Sequence, residues 1–450
     1  MSNEKRSSFT SSIGFILAAA GSAVGLGNIW RFPYLAAQYG GGIFLLVYLI
    51  LAVTFGFALM VAEITIGRKT GLSAIGAFKA LNKKFSFLGY LAALVPIIIL
   101  PYYSQIGGWV AKYLYEYIAV GGTNVAGDGF FGSFISTTGE PVLWFSIFLA
   151  ITAIVVLFGV EKGIEKVSKI MMPILVVLSI GIAIYSVCLP GAMEGVIYYL
   201  KPDFTKFSVK TVLAAMGQLF YSMSLAMGIM ITYGSYMKKD ANIEKSVRNI
   251  EIFDTGIAFL AGLMIIPAVF ALSDNPNVGA GPSLMFITLP QLFNTMPLGN
   301  VVGLAFFLLV LFAALTSSIS LMETVVSIFC DKLHIGRKLS CLLVFLLSAA
   351  VGLVSCFGYS IWSHVTIIGL QFLDFFDFIS NSVIMPIVAF FTCILVGYVI
   401  KPKAIIDEVE SSAKFSAKKL FVFVIKYAAP ICILLILVSS VLNAYGIFTL

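Results

Sequence analysis

The chain has 450 residues, 60% of them hydrophobic and only 11% charged, with a mean hydropathy of +1.04. That excludes an ordinary soluble domain, where charged residues make up about 25%. The formal charge of +7 is a topology signal rather than a nucleic-acid footprint, because the cations fall between apolar runs. The six cysteines (188, 330, 341, 356, 393 and 432) lie in or beside those runs without ligand spacing. Neither a disulfide framework nor a zinc centre is expected.

A spanning helix needs about 20 apolar residues. Runs of that size lie at 13–37, 42–66, 86–118, 141–159, 168–189, 211–237, 250–272, 299–330, 339–358, 362–399 and 420–446, which predicts eleven spans. No small-residue cleavage site follows the first run, so it is read as a span rather than a signal peptide. With residues 1–12 in the cytoplasm, only Arg31, Lys112, Lys201, Lys206 and Lys210 of the 28 lysines and arginines fall outside. That bias fixes the orientation, and an odd span count puts the C-terminus outside, in a multi-pass protein of the inner (plasma) membrane.

In chain order, the first irregularity is "GSAVGLGNIWRFPY" in span 1, with three glycines, Ser22, Asn28, Arg31 and Pro33 inside an apolar run. The outer loops 119–140 and 190–210 follow, the first rich in Gly, Ser and Thr, the second containing "YYLKPDF". Span 6 is interrupted by "FYSMSLAMGIMITYGS", and 271–298 reads as a re-entrant or hairpin cap over the outer face. Spans 1 and 6 each open a set of five, and the second set starts from the opposite side of the membrane. This points to inverted repeats at 13–189 and 211–399, joined by 190–210, then a cytoplasmic loop 400–419 and an extra span at 420–446. Discontinuous helices of such repeats line a mid-membrane site. The expected fold is all-α and polytopic.

Gly21 and Gly25 form a GxxxG pair, which alone means close helix packing. Unwinding there would free carbonyls that, with the Asn28 amide oxygen, suit an alkali cation, while a half-helix N-terminus suits a carboxylate. Ser222 and Ser224 in span 6 and Thr316, Ser317 and Ser318 in span 8 are cation ligands or interhelical glue. The acids inside spans are Glu63, Asp254, Glu323, Asp374 and Asp377, each a functional candidate because charge in lipid is costly. Asp254 lies about one turn into the run 250–272, where an interfacial position would also serve, and Asp377 is a natural partner for Arg31 across an outer vestibule. Two histidines, His334 and His364, lie at span ends, and HExxH and nucleophile-elbow motifs are absent. The chain is therefore read as a binder and releaser of cargo, not an enzyme.

With "GFILAAAGSAVGLGNIWRFPYLAAQYGGGIF", "AEITIGR", "VPIIILPYYSQIGGW", "YLKPDFTKF", "GQLFYSMSLAMGIMITYGSYM", "GPSLMFITLP", "FAALTSSISLME" and "FLDFFDF" in view, the chain resembles the neurotransmitter:sodium symporter family, of the leucine-transporter type, with the eleven spans of a bacterial subgroup. That type is itself an established example of broken-helix repeats. The resemblance implies two sodium sites. The first would use Ala23, Asn28, Ser222 and Asp254 with the substrate carboxylate; the second would use Gly21, Val24, Ala313, Thr316 and Ser317. It further implies an amino acid held by Ala23, Gly25, Leu26, Gly27 and Tyr103, with its side chain among Ile99, Tyr221, Ser224, Met227, Ser317 and Leu321. Arg31 and Asp377 match an outer gate, and Tyr103 with Tyr221 an aromatic lid. Arg6, Phe9, Tyr236 and Asp331 match an inner gate, and Gly163 with Pro173 a span 5 unwinding motif.

The departures from the family pattern refine the expectation. Gly25 stands where monoamine carriers have aspartate, which leaves room for a substrate carboxylate. Met227 stands where the leucine type has phenylalanine, and its flexible thioether suits hydrophobic and aromatic side chains. Ala226 replaces a glycine, and Phe9 a tryptophan. Tyr48, Gln218 and Ser222 match chloride-dependent members, but Ala258 stands where those have serine, and Asp254 where many relatives have asparagine. A carboxylate beside sodium would replace chloride. The expectation is a sodium-coupled symporter of hydrophobic or aromatic L-amino acids working by alternating access. The alternative is a non-transporting amino acid sensor on the same scaffold.

Overall fold

The computed structural model describes residues 8–127, 129–272 and 281–444. Among these the chain is helical, with two isolated β-bridges and no strand. Among the described residues nine helices are long and apolar enough to cross a membrane: Gly42–Thr70, Lys83–Ala119, Gly139–Leu157, Val160–Val187, Ile243–Leu272, Gly299–Leu333, Arg337–Phe357, Phe372–Val399 and Lys418–Leu442. In lipid only such helices satisfy their own backbone. We number these spans 2, 3, 4, 5, 7, 8, 9, 10 and 11.

Span 1 is a pair, Ser12–Ala23 and Gly27–Gln38, bent by 54°. Its first half starts at Ser11, whose hydroxyl accepts from Gly14 N at 3.0 Å, the usual N-cap arrangement. It ends where Val24 turns to φ −72°, ψ 99°. Span 6 is likewise two pieces, Val209–Ser222 and Ile229–Ser235. Between them Ser224, Ala226 and Gly228 all take positive φ (52°, 61° and 72°), a conformation that glycine tolerates and other residues adopt at a cost of about 1–2 kcal/mol. Both breaks open a set of five spans, which gives the inverted-repeat, broken-helix architecture.

Several edges differ from the hydropathy reading. Span 7 begins at Ile243 rather than 250, so Asp254 lies about three turns inside the helix and is fully buried; the interfacial reading of that carboxylate is corrected. Span 10 starts at Phe372, and 362–371 is turn and extended chain. Charged and polar residues at 243–249 diluted the hydropathy although the helix runs through them, whereas the mostly apolar stretch before Phe372 is not helical. The loops carry short helices of their own, Ala74–Leu81, Phe130–Ser136, Ala192–Leu200 and Lys403–Glu410. The expected outer cap is helical over Leu284–Thr295. It docks where Tyr113 donates to Phe286 O at 2.7 Å and the Phe286 ring stacks on Phe131 at 5.0 Å; residues 273–280 of that segment lie outside the described residues.

Candidate functional site

The two breaks meet in mid-bundle, and side chains from other spans satisfy the backbone they expose. Ser317 of span 8 donates Oγ toward the carbonyls of Gly21 (3.3 Å), Ser22 (3.1 Å) and Val24 (3.3 Å). Ser224 donates to Ser22 O at 3.0 Å. Tyr103 of span 3 accepts from Leu26 N at 3.3 Å, and Asn28 Oδ1 accepts from Gly25 N at 3.0 Å. In span 6, Ala226 N donates to Glu63 Oε1 at 2.7 Å. The Glu63 carboxylate thus holds the strained turn, while its other oxygen has no partner.

Around these contacts lies a small cavity, ≈ 360 Å³ counting all space between atoms and any open mouth. Every residue proposed from sequence for the substrate lines it: Ala23, Gly25, Leu26, Gly27, Ile99, Tyr103, Tyr221, Ser224, Met227, Ser317 and Leu321. Its walls also include Ser22 and Ile229, which sequence reasoning missed. Ser22 sits one residue from a proposed ligand in the opening motif. Ile229 is the first residue of the second half of span 6, a position that only the location of the break identifies. A Cβ at Gly25 would lie 2.8 Å from Ser317 Oγ and 3.0 Å from the Tyr103 hydroxyl, so glycine is required for the backbone to approach both.

Behind one end of the cavity is a buried polar cluster. Asn28 Nδ2 donates to Asp254 Oδ1 at 2.7 Å and to Ser222 Oγ at 2.9 Å, and Ser222 donates to Asp254 Oδ1 at 2.7 Å. Tyr48 donates to Asp254 Oδ2 at 3.3 Å, and Gln218 Nε2 donates to Gly27 O at 2.9 Å. Asn28 and Ser222 stand between Asp254 and the cavity, since they line it and the carboxylate does not. Ala258 is fully buried one turn further along span 7. The second proposed ion set also converges. Ser317 reaches the Gly21 and Val24 carbonyls, and Thr316 Oγ1 donates to Ala313 O at 3.1 Å. Both sets are oxygen-only, the chemistry a hard cation takes. Among the described residues no cluster of His, Cys, Asp and Glu suits a transition metal.

Outside the cavity a vestibule of ≈ 1840 Å³, open mouth included, is lined by Arg31, Asp374 and Asp377 among others. Arg31 stands 5.5 Å over the Tyr221 ring centroid. Asp377 Oδ1 accepts from Tyr102 at 3.1 Å and from Asn381 Nδ2 at 2.6 Å. Arg31 and Asp377 thus face one another across the vestibule, as the outer-gate reading places them, without a direct ion pair in this conformation. Tyr221 is the wall shared by the cavity and the small pocket between Arg31 and Asp377.

The side opposite the vestibule is sealed. Phe9 is buried against Phe15, Tyr233 and Tyr236, with ring centroids at 5.5, 5.7 and 6.3 Å. Tyr236 donates to Glu323 Oε1 at 2.7 Å, and Glu323 is ion-paired with Arg337, which also donates to Val156 O. Arg337 was not anticipated, because its partner lies 14 positions away across a helix turn. Asp331 Oδ2 accepts from Ser73 N at 2.8 Å; Arg6, its proposed partner, lies outside the described residues. Span 5 is wound throughout, Gly163 inside a π-turn at Val160–Glu165 and Pro173 inside Lys166–Val187. No unwinding accompanies this sealed state.

Two broken helices meeting at a buried cavity, with a vestibule on one side of it and a seal on the other, are the architecture of a secondary transporter. A model of the sodium:neurotransmitter symporter family matches residues 6–121 and 130–447, and the chain belongs to that family. It is 36% identical over 459 residues to an uncharacterized sodium-dependent transporter, YhdH, of Bacillus subtilis, covering 100% of each chain. It is 26% identical to the human sodium- and chloride-dependent taurine transporter, over 90% of this chain and 73% of that one. Among solved structures, MhsT in complex with L-phenylalanine shares 39% identity at a TM-score of 0.88, covering 97% of this chain and 100% of that one. The protein is accordingly a sodium-dependent, multi-pass membrane transporter.

Proposed function

We propose that the protein imports hydrophobic or aromatic L-amino acids with two sodium ions and without chloride. The observation that carries this is Asp254, a buried carboxylate placed among Tyr48, Ser222 and Asn28. There it supplies the negative charge that sodium ions and a zwitterion need nearby. Next to this cluster, where Gly25 N donates to Asn28 Oδ1, Gly25, Leu26 N and the Tyr103 hydroxyl leave room for the substrate carboxylate and offer it donors. The remaining walls, Ile99, Met227, Ile229 and Leu321, suit an apolar side chain. MhsT was solved with phenylalanine, which supports the same substrate class.

In this reading the amino-terminal segment is cytoplasmic. Sodium at the Gly21–Val24–Thr316–Ser317 set ties span 1 to span 8, and its departure frees the inner seal. The test is uptake of labelled L-amino acids into proteoliposomes, with an inward sodium gradient compared with potassium, each in chloride or gluconate. Sodium-dependent accumulation that ignores chloride is expected. Loss of uptake in gluconate overturns the assignment of Asp254, and saturable binding without accumulation would identify a sensor.

A further inference from the structure

We propose that the outer segment 192–210 is a binding site for anionic phospholipid, which it holds through Lys201 and Lys206. This rests on the orientation proposed above, with 192–210 outside. Positive charge is depleted outside, yet three of the five outward cations of this chain, Lys201, Lys206 and Lys210, fall within ten residues. Of the other two, Arg31 faces the vestibule, and Lys112 is neutralised by Glu116 and Glu140. Lys201 and Lys206 are exposed and make no ion pair among the described residues. The Lys206 ammonium rests on the half-buried Tyr198 ring, 4.8 Å from its centroid, a contact a phosphate would share or displace. Asp203, the acid between them, accepts from Thr205 N at 3.0 Å and from its hydroxyl at 2.6 Å; its charge faces both lysines and leaves the pair with a net charge of about +1.

The depth of the segment matches a headgroup. Helix Ala192–Leu200 packs against span 7, with a Cβ at Gly195 falling 2.8 Å from Pro267 Cα and Tyr199 donating to Phe259 O at 3.1 Å. Between these contacts it descends along span 7 by about 6 Å, the rise of four helical residues, and the Tyr199 side chain reaches the remaining way to Phe259. At its foot, a Cβ at Gly42 would lie 2.4 Å from the Lys201 carbonyl carbon, so Lys201 is level with the outer end of span 2. The face turned away from the protein is apolar: Met193, Ile197 and Leu200 at helical spacing, then Phe204 and Phe207, are 42–72% exposed. An apolar stripe beside cations at the level where a span ends is an interfacial arrangement, with acyl chains along the stripe and phosphate at the lysines. Val209 opens the outer half of span 6 directly after it, so the lipid would brace the helix that carries Tyr221.

The test uses the purified full chain in detergent, titrated with phosphatidylglycerol or phosphatidylcholine and read by native mass spectrometry. Preferential retention of phosphatidylglycerol is expected, with occupancy falling by about tenfold or more in Lys201→Gln/Lys206→Gln, since each surface cation contributes about fivefold. Phe204→Ser should weaken both lipids, and sodium-dependent amino acid binding should survive in each variant. Equal retention of the two lipids, unchanged retention in the double variant, or displacement of phosphatidylglycerol by millimolar inorganic phosphate overturns the proposal. Impermeant maleimide on Lys201→Cys in a Cys188→Ser background reports the side separately. Labelling from the cytoplasmic face would overturn the orientation and the outer-leaflet assignment while leaving sodium-coupled uptake intact.

Discussion

At the scale of single residues, the site depends on one missing methyl and one extra charge. A Cβ at Gly25 would meet Ser317 Oγ at 2.8 Å and the Tyr103 hydroxyl at 3.0 Å, and neither partner is free to retreat, because each holds span 1 backbone. Overpacking of this kind costs about 1–3 kcal/mol. Gly25→Ala should therefore lower amino acid affinity by about 10-fold to 100-fold, measured as the apparent KM for uptake. A change under twofold would mean that the carboxylate binds elsewhere. Asp254 makes the complementary prediction. Asp254→Asn removes the charge while its amide oxygen can still accept from Asn28 and Ser222, and its amide nitrogen would donate to the Tyr48 hydroxyl instead of accepting from it. Uptake in gluconate should drop at least tenfold, with chloride restoring part of it, and more fully when Ala258→Ser adds a hydroxyl on the next turn. Persistence of chloride-independent uptake in Asp254→Asn would remove the carboxylate from the charge balance.

At the scale of elements, the inner seal is one polar pair set in an aromatic plug. Glu323 is fully buried, and its charge is balanced by Arg337 reaching from the start of span 9. Removing one partner of a buried pair leaves an uncompensated charge, at about 3–5 kcal/mol, whereas removing both costs far less. Arg337→Gln should lower the thermal midpoint of the purified protein and loosen the hold on Tyr236, and Glu323→Gln in the same chain should recover most of the loss. Additive destabilisation in the double variant would show that the two do not act as a pair. This pair also marks where the sequence stopped being informative. The broken spans were legible because glycine and polar residues inside an apolar run have few other uses, and every proposed substrate residue does line the cavity. Arg337 was not, because a cation at a span end looks the same whether it serves topology or folds inward to a carboxylate. The depth of Asp254 was misread for a related reason: hydropathy reports where a helix meets lipid, while its hydrogen bonds run on to Ile243.

At the scale of the whole molecule, the vestibule is open on one side while Phe9 and the Glu323–Arg337 pair close the other. A ligand moves such a two-state balance only by its difference in affinity for the two states, and a shift from 1:99 to 99:1 needs about 10⁴-fold. Sodium and substrate must divide that work. The oxygens at Gly21, Val24, Thr316 and Ser317 come from both span 1 and span 8, so an ion there favours the conformation in which those spans are joined. An amino acid in the proposed site would touch both broken helices, and so would draw Tyr221 toward Tyr103 and close the cavity beneath the vestibule. Ser382, on the vestibule wall, reports the outcome when converted to cysteine in a Cys188→Ser background and labelled with an impermeant maleimide. Sodium alone should speed labelling relative to potassium, because it holds the outward-facing state. Sodium with a transported amino acid should slow it several-fold as the outer path closes. If labelling is indifferent to sodium and substrate alike, the vestibule does not move with the ion sites and the coupling must arise elsewhere in the fold.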